Sequence, residues 1–131
     1  MPRNAAATHG RRRKLIVRFY ASATGRQVVK DELAALGTEA RAAVLESLVR
    51  LRGGESFARE VETVAGELRA LRVTHDGDQY RLLYAHEGSH DHVILCLRAL
   101  AKKQQKLPKR DIRNAQARLR DWRDRGRGNR K

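Results

Sequence analysis

Two arginines, Arg72 and Arg81, stand nine residues apart on either side of an Asp76-Gly77 pair, and two lysines, Lys102 and Lys103, follow the apolar run that ends at Leu97. These types suit phosphate chemistry. If the arginines lie on adjacent antiparallel strands and share a face, two guanidinium forks converge where a phosphate can be gripped, with a bidentate geometry that lysine cannot reproduce. Crowding by other cations lowers the proton affinity of a lysine, so Lys102 or Lys103 could serve as a general base.

Aromatic and imidazole groups flank this set. Tyr80 or Tyr84 could hydrogen-bond a phosphate or stack on a base, although strand alternation puts Tyr80, Leu82 and Tyr84 on one face and Arg81 on the other. His75 lies on the same expected hairpin as Arg72, where an imidazole could act as acid or base. Arg98, Lys106, Lys109 and Arg110 extend the cationic set toward a polyanionic ligand. His86 and the His90-Asp91-His92 run fall in an expected turn without a cysteine pair or a third carboxylate at helical spacing, so no metal site is assigned. Cys96 sits inside an apolar strand and reads as a small hydrophobe. There is no Gly-rich phosphate loop and no paired-carboxylate constellation, and no cofactor is expected.

The charge distribution points the same way. The chain has 131 residues and a formal net charge of +14. Residues 1–30 sum to +8, residues 31–97 to −5 and residues 98–131 to +11. A mildly acidic middle between two cationic ends is the footprint of a protein that meets phosphate. Hydrophobic residues make up 40% of the chain, enough for one modest core and too many for wholesale disorder. A single cysteine excludes an internal disulfide framework and fits a reducing compartment, so the cytoplasm is expected. No secretion signal or membrane span is visible, and no membrane partner is expected.

The elements that must position these groups follow from periodicity. Residues 1–13 read as a flexible basic arm, 14–125 as a single domain and 126–131 as a basic tail. Leu15, Val17 and Phe19 alternate with Ile16, Arg18 and Tyr20 as in a strand. Val28, Val29, Leu33 and Leu36 share a helical face that Gly37 ends, and Thr38 is placed to cap a second helix carrying Ala40, Val44, Leu48 and Leu51 up to Gly53-Gly54. Residues 55–66 show no clear period. A hairpin follows, Leu68 to Val73 and Tyr80 to Tyr84 around Asp76-Gly77, then a buried strand over residues 92–97. Pro108 suits the first position of a last helix with Ile112, Ala115, Leu119 and Trp122 on one face. The expected fold is α+β: an antiparallel sheet of about four strands, helices on one face, an N-terminal helical hairpin and a C-terminal helix.

From about Phe19 to Trp122 the sequence resembles the RelE/HigB-like toxins of type II toxin–antitoxin systems, in the RelE/ParE superfamily and its phage-derived branch. The resemblance rests on Gly25-Arg26-Gln27-Val28-Val29-Lys30, Leu71-Arg72-Val73, Tyr80-Arg81-Leu82-Leu83-Tyr84 and Lys102-Lys103-Gln104-Gln105-Lys106-Leu107-Pro108. Two positions depart from the pattern: Ala70 replaces a glutamate that could orient the neighbouring arginine, and Leu107 replaces a helix-capping threonine. The resemblance implies a RelE-like fold and a ribosome-dependent, metal-independent messenger-RNA endoribonuclease that inhibits translation. Arg72, Arg81, Lys102, Lys103 and Tyr84 would be its catalytic residues. His75, Tyr80, Arg98, Lys106, Lys109 and Arg110 would meet RNA. The implied partners are the ribosome, messenger RNA and a HigA-like antitoxin with a helix-turn-helix domain. Two alternatives remain at this point: a toxin of the same fold that poisons DNA gyrase, or a basic nucleic-acid-binding module.

Overall fold

Strand β4, Asp78–Glu87, is the centre of the molecule, because Tyr80 through Ala85 are all buried. Successive strand residues point to opposite faces, so an unbroken buried run requires cover on both. The computed structural model describes residues 15–129 and supplies that cover. The expected arm at 1–13 lies outside the described residues. So does the end of the expected tail.

The five strands are β1 (Ile16–Phe19), β2 (Val61–Ala65), β3 (Leu68–His75), β4 and β5 (Val93–Lys102). Their order in the sheet is β1-β5-β4-β3-β2. The expected α+β class holds, and the four-stranded antiparallel sheet is corrected in two ways. First, β1 lies parallel to β5, with Ile16 opposite Val93 and Phe19 opposite Cys96, so the sheet is mixed. Alternation reveals a strand but not its partner. Second, β2 is an additional strand whose pairing with β3 is irregular: Thr63 faces Arg69 and Ala65 faces Leu68, leaving Val64 bulged out of the ladder. A bulge breaks the two-residue period, which is why residues 55–66 show none.

Helix α1 (Val28–Ala35) buries Val29 and Leu33, and α2 (Thr38–Arg52) buries Ala40, Val44 and Leu48. Gly37 takes φ 99° and is itself the N-cap, so Thr38 is the first helical residue and not the cap. The β3–β4 hairpin turns at Asp76 (φ 50°) and Gly77 (φ 80°), the positive pair expected for a two-residue turn. Helix α3 (Lys109–Asn129) starts one residue after Pro108, whose carbonyl accepts from the Asp111 and Ile112 amides.

The helices do not share one face of the sheet, as the sequence suggested. His75, on the face of Leu71 and Val73, approaches Glu39 of α2 at 3.6 Å. The opposite face carries Arg72 and Arg81 and meets the start of α3, where Lys109 and Ile112 border a cleft. The hairpin of α1 and α2 thus covers one face and α3 covers part of the other.

One carboxylate joins these layers. Since β1 pairs only as far as Cys96, the outer edge of β5 beyond it has lost its partner. Glu32 of α1 accepts the Ala99 amide there at 3.1 Å and also binds Arg98 at 2.5 Å and Arg118 of α3 at 2.8 Å. Arg118 in turn donates to the Leu97 carbonyl, and Asp111 takes the second branch of Arg98 at 2.9 Å. Substituting Glu32→Ala strands two half-buried arginines and a strand-edge amide, and is expected to cost about 3 kcal/mol. Val49→Ala, at a 62% exposed position, should stay within about 0.5 kcal/mol. Denaturant midpoints at unchanged slope test the pair.

Candidate functional site

Register decides where the arginines go. Arg72 of β3 and Arg81 of β4 are direct cross-strand partners, so both side chains leave the sheet on the same face. On the next strand, Lys102 is the partner of Gln79, two residues from Arg81, and falls on that face too. Three cations from three adjacent strands therefore border one cleft of about 550 Å³, completed by Lys106 and by Lys109 at the start of α3. Glu62 of β2 is the one carboxylate among its described lining residues.

The two arginines differ in state. Arg81 is 3% exposed and every donor group is committed: Nε to Glu62 Oε1 at 3.0 Å, one terminal nitrogen to the Tyr80 carbonyl at 2.9 Å and the other to Gln79 Oε1 at 3.2 Å. It is a fixed positive charge in the cleft wall. Arg72, Lys106 and Lys109 are exposed and Lys102 is half-buried, and none of the four has an ion-pair partner among the described residues. These four cations are available to an anion. Two like charges opposite one another destabilise a sheet, and here Glu62 offsets one of them.

Glu62 also bears on the departure at position 70. Ala70 is fully buried, and its partner across the ladder is Glu62. An acid on β2 thus reaches the arginine that a side chain at position 70 does not. Sequence reasoning missed Glu62 because its strand is bulged, and missed Glu32 because its partners are up to 86 residues away in the chain.

The remaining expected site residues lie elsewhere. Lys103 opens into a neighbouring hollow of about 360 Å³ with Gly77, Asp78 and Gln104, joined to the cleft through Lys102 and Gln79. Tyr84 is 1% exposed and emerges on the face opposite Arg81, so it has no access to the cleft, and desolvation by burial raises the pKa of its phenol. Tyr80 and His75 line a hollow on that reverse face with Gly37 and Glu39. Arg98 is held by Glu32 and Asp111. Arg110 is exposed on α3 and is not among the cleft's lining residues.

The other chemistry-bearing groups have structural partners. His86 and His92 hydrogen-bond the carbonyls of Asp91 and Ser89, tying down the β4–β5 turn. Glu39, His75 and Asp76 bring possible metal-ligating atoms within 4.8 Å of one another, on the reverse face. Burial pushes the Cys96 thiol well up, so it is no nucleophile.

Residues 31–120 match the family described as phage derived protein Gp49-like (DUF891). The chain belongs to the Gp49-like family. It is also 34% identical over 104 residues to proteins named "Probable endoribonuclease HigB1" from two strains of Mycobacterium tuberculosis, covering 79% of this chain and 81% of each relative. The family match spans the cleft strands and the first part of α3, so the cleft of this Gp49-like chain lies within the matched residues.

The two arginines should respond differently to substitution. Arg81→Lys loses the forked contacts to Glu62, Gln79 and the Tyr80 carbonyl, and is expected to destabilise the fold by about 1–3 kcal/mol. Arg72→Ala removes an exposed side chain and should change stability by no more than about 0.5 kcal/mol. Thermal melts of the two variants provide the comparison.

Proposed function

We propose that this Gp49-like protein is the toxin of a type II toxin–antitoxin system and acts as a ribosome-dependent, metal-independent messenger-RNA endoribonuclease that inhibits translation. The observation that carries the reading is the shared face of Arg72, Arg81 and Lys102, set by the strand register. Its similarity to proteins named endoribonuclease HigB1 supports the reaction class.

Cleavage through the RNA 2′-hydroxyl asks a protein for positive charge that is already in place when the phosphorane-like transition state forms. Preorganised charge of this kind is usually the largest catalytic contribution. Arg81 supplies it without reorganising, since its three hydrogen bonds hold it still. Arg72 supplies a free fork for the non-bridging phosphate oxygens, and Lys102 a point charge on the neighbouring strand. Lys106, Lys109 and Lys103 extend the cationic track along the RNA backbone. The substrate in this reading is a single strand whose nucleotides are splayed, the form in which RNA bases become accessible.

The partners follow from this reading: messenger RNA on the ribosome, and a HigA-like antitoxin with a helix-turn-helix domain. Among the described residues no helix is long and apolar enough to cross a membrane. Cytoplasmic action is proposed, since that is where ribosomes and messenger RNA meet. A plain binding module is disfavoured by the central strand, whose aromatic residues Tyr80 and Tyr84 are buried and form no stacking platform.

Purified protein mixed with ribosomes carrying a defined message is expected to cut it and leave 2′,3′-cyclic phosphate and 5′-hydroxyl ends. Arg72→Ala and Lys102→Ala should each slow cutting by roughly 100-fold, and raising the salt should weaken binding steeply through counterion release. Wild-type cutting rates in both variants would refute the assignment of this cleft.

A further inference from the structure

A cleft built to bind a polyanion has reason to exclude carboxylates, yet Glu62 lines this one beside five cations. Its Oε1 is taken by Arg81 Nε at 3.0 Å, while Oε2 accepts no hydrogen bond from a described residue. The side chain is 36% exposed, so that oxygen is reachable from the cleft. Holding Arg81 needs only one oxygen. The other is oriented by the ion pair, being fixed in the carboxylate plane, and has no structural task.

The proposed reaction lacks one component: a group to take the proton of the attacking hydroxyl. Arg72 and Arg81 cannot serve, because a guanidinium stays protonated. Lys102, Lys106 and Lys109 would each have to shed a proton first, and a lysine that does so forfeits the charge for which the cleft gathers it. Thr63, Gln79 and Gln105 offer no useful basicity. A carboxylate arrives ionised and needs no preparation.

We infer that Glu62 is the general base, a role that rests on the nuclease reading above. The 2′-oxygen attacks phosphorus and its proton passes to Glu62 Oε2 as the O2′–P bond forms. The P–O5′ bond breaks, and the 5′-oxygen leaves with a proton from the Lys102 ammonium. Glu62 then returns its proton to Lys102 through water, which restores both groups and leaves the cyclic phosphate. Lys102 is therefore the acid of this reaction and not its base, and Arg81 fixes the base as well as stabilising the phosphorane.

Glu62→Gln is the decisive variant, because its amide oxygen can still accept from Arg81 Nε while it cannot take up a proton at neutral pH. Single-turnover cutting of ribosome-bound message should fall by roughly 100- to 10,000-fold, with half-saturating concentration changed by less than about threefold, as expected of a group acting only on the chemical step. A residue that merely holds Arg81 in place predicts near wild-type cutting by this variant. Retention of the rate within about threefold, or a loss confined to half-saturation, overturns the assignment. Should Glu62→Gln melt early, Glu62→Ala with added formate decides: restored cutting supports the base role and no restoration overturns it. The failures are separable. If Arg72→Ala and Lys102→Ala lose activity while Glu62→Gln keeps it, the base alone is misassigned; if wild-type protein does not cut, or those two variants cut normally, the nuclease reading falls and takes the base with it.

Discussion

The carboxylate of Glu32 closes a gap that the topology itself creates. A four-residue β1 cannot cover a ten-residue β5, so the outer edge of β5 past Cys96 would be left with unpaired backbone groups. Buried or half-buried, such groups cost more than most side-chain contacts return. Glu32 takes the Ala99 amide and Arg118 takes the Leu97 carbonyl, so two side chains of opposite charge replace the missing strand. Because they come from α1 and α3, the repair also fixes the helices. Lys102 at the end of β5 and Lys109 at the start of α3 flank the cleft from those same elements, and their spacing depends on this junction.

The distribution of charge follows one rule. Acidic residues are scarce, fifteen against twenty-nine basic residues, and several of them are spent on arginines that are partly or wholly buried. Glu32 and Asp111 hold Arg98, Glu62 holds Arg81, and Glu67 and Glu87 hold Arg123. The Arg123 contacts are tight enough to raise that guanidinium's pKa further and to lower that of the Glu67 carboxyl. Cations without such partners in β3, at the end of β5 and in the β5–α3 connection are left to border one cleft. Net charge becomes a local field because, among the described residues lining the cleft, Glu62 is the one carboxylate.

The sequence made the helices, the hairpin and the identity of Arg72 and Arg81 legible because each rests on short-range signals. Helical spacing exposes Val29, Leu33, Val44 and Leu48, and Asp76-Gly77 marks the turn that sets those two arginines opposite each other. What stayed hidden depends on distant partners. The parallel pairing of β1 joins segments 77 residues apart, as in Ile16 and Val93, and no local pattern encodes it. Val64 breaks the alternation of β2 and conceals Glu62 with it. Tyr84 shows the limit of family strings: a residue three positions from an arginine of interest lies, by the pleat, on the other side of the sheet.

The pairing of a buried arginine with an exposed one has a physical advantage over two exposed ones. An exposed guanidinium must give up solvent and side-chain freedom as the phosphate arrives, which weakens what it can add to the transition state. Arg81 has already surrendered both, and its desolvation is offset by Glu62 before any ligand binds. In the proposed reaction Arg72 keeps its freedom to follow the phosphate as it moves from tetrahedral to phosphorane geometry. On that proposal one arginine fixes the potential of the cleft and the other adapts to the substrate, a division that depends on their sharing a rung of the ladder.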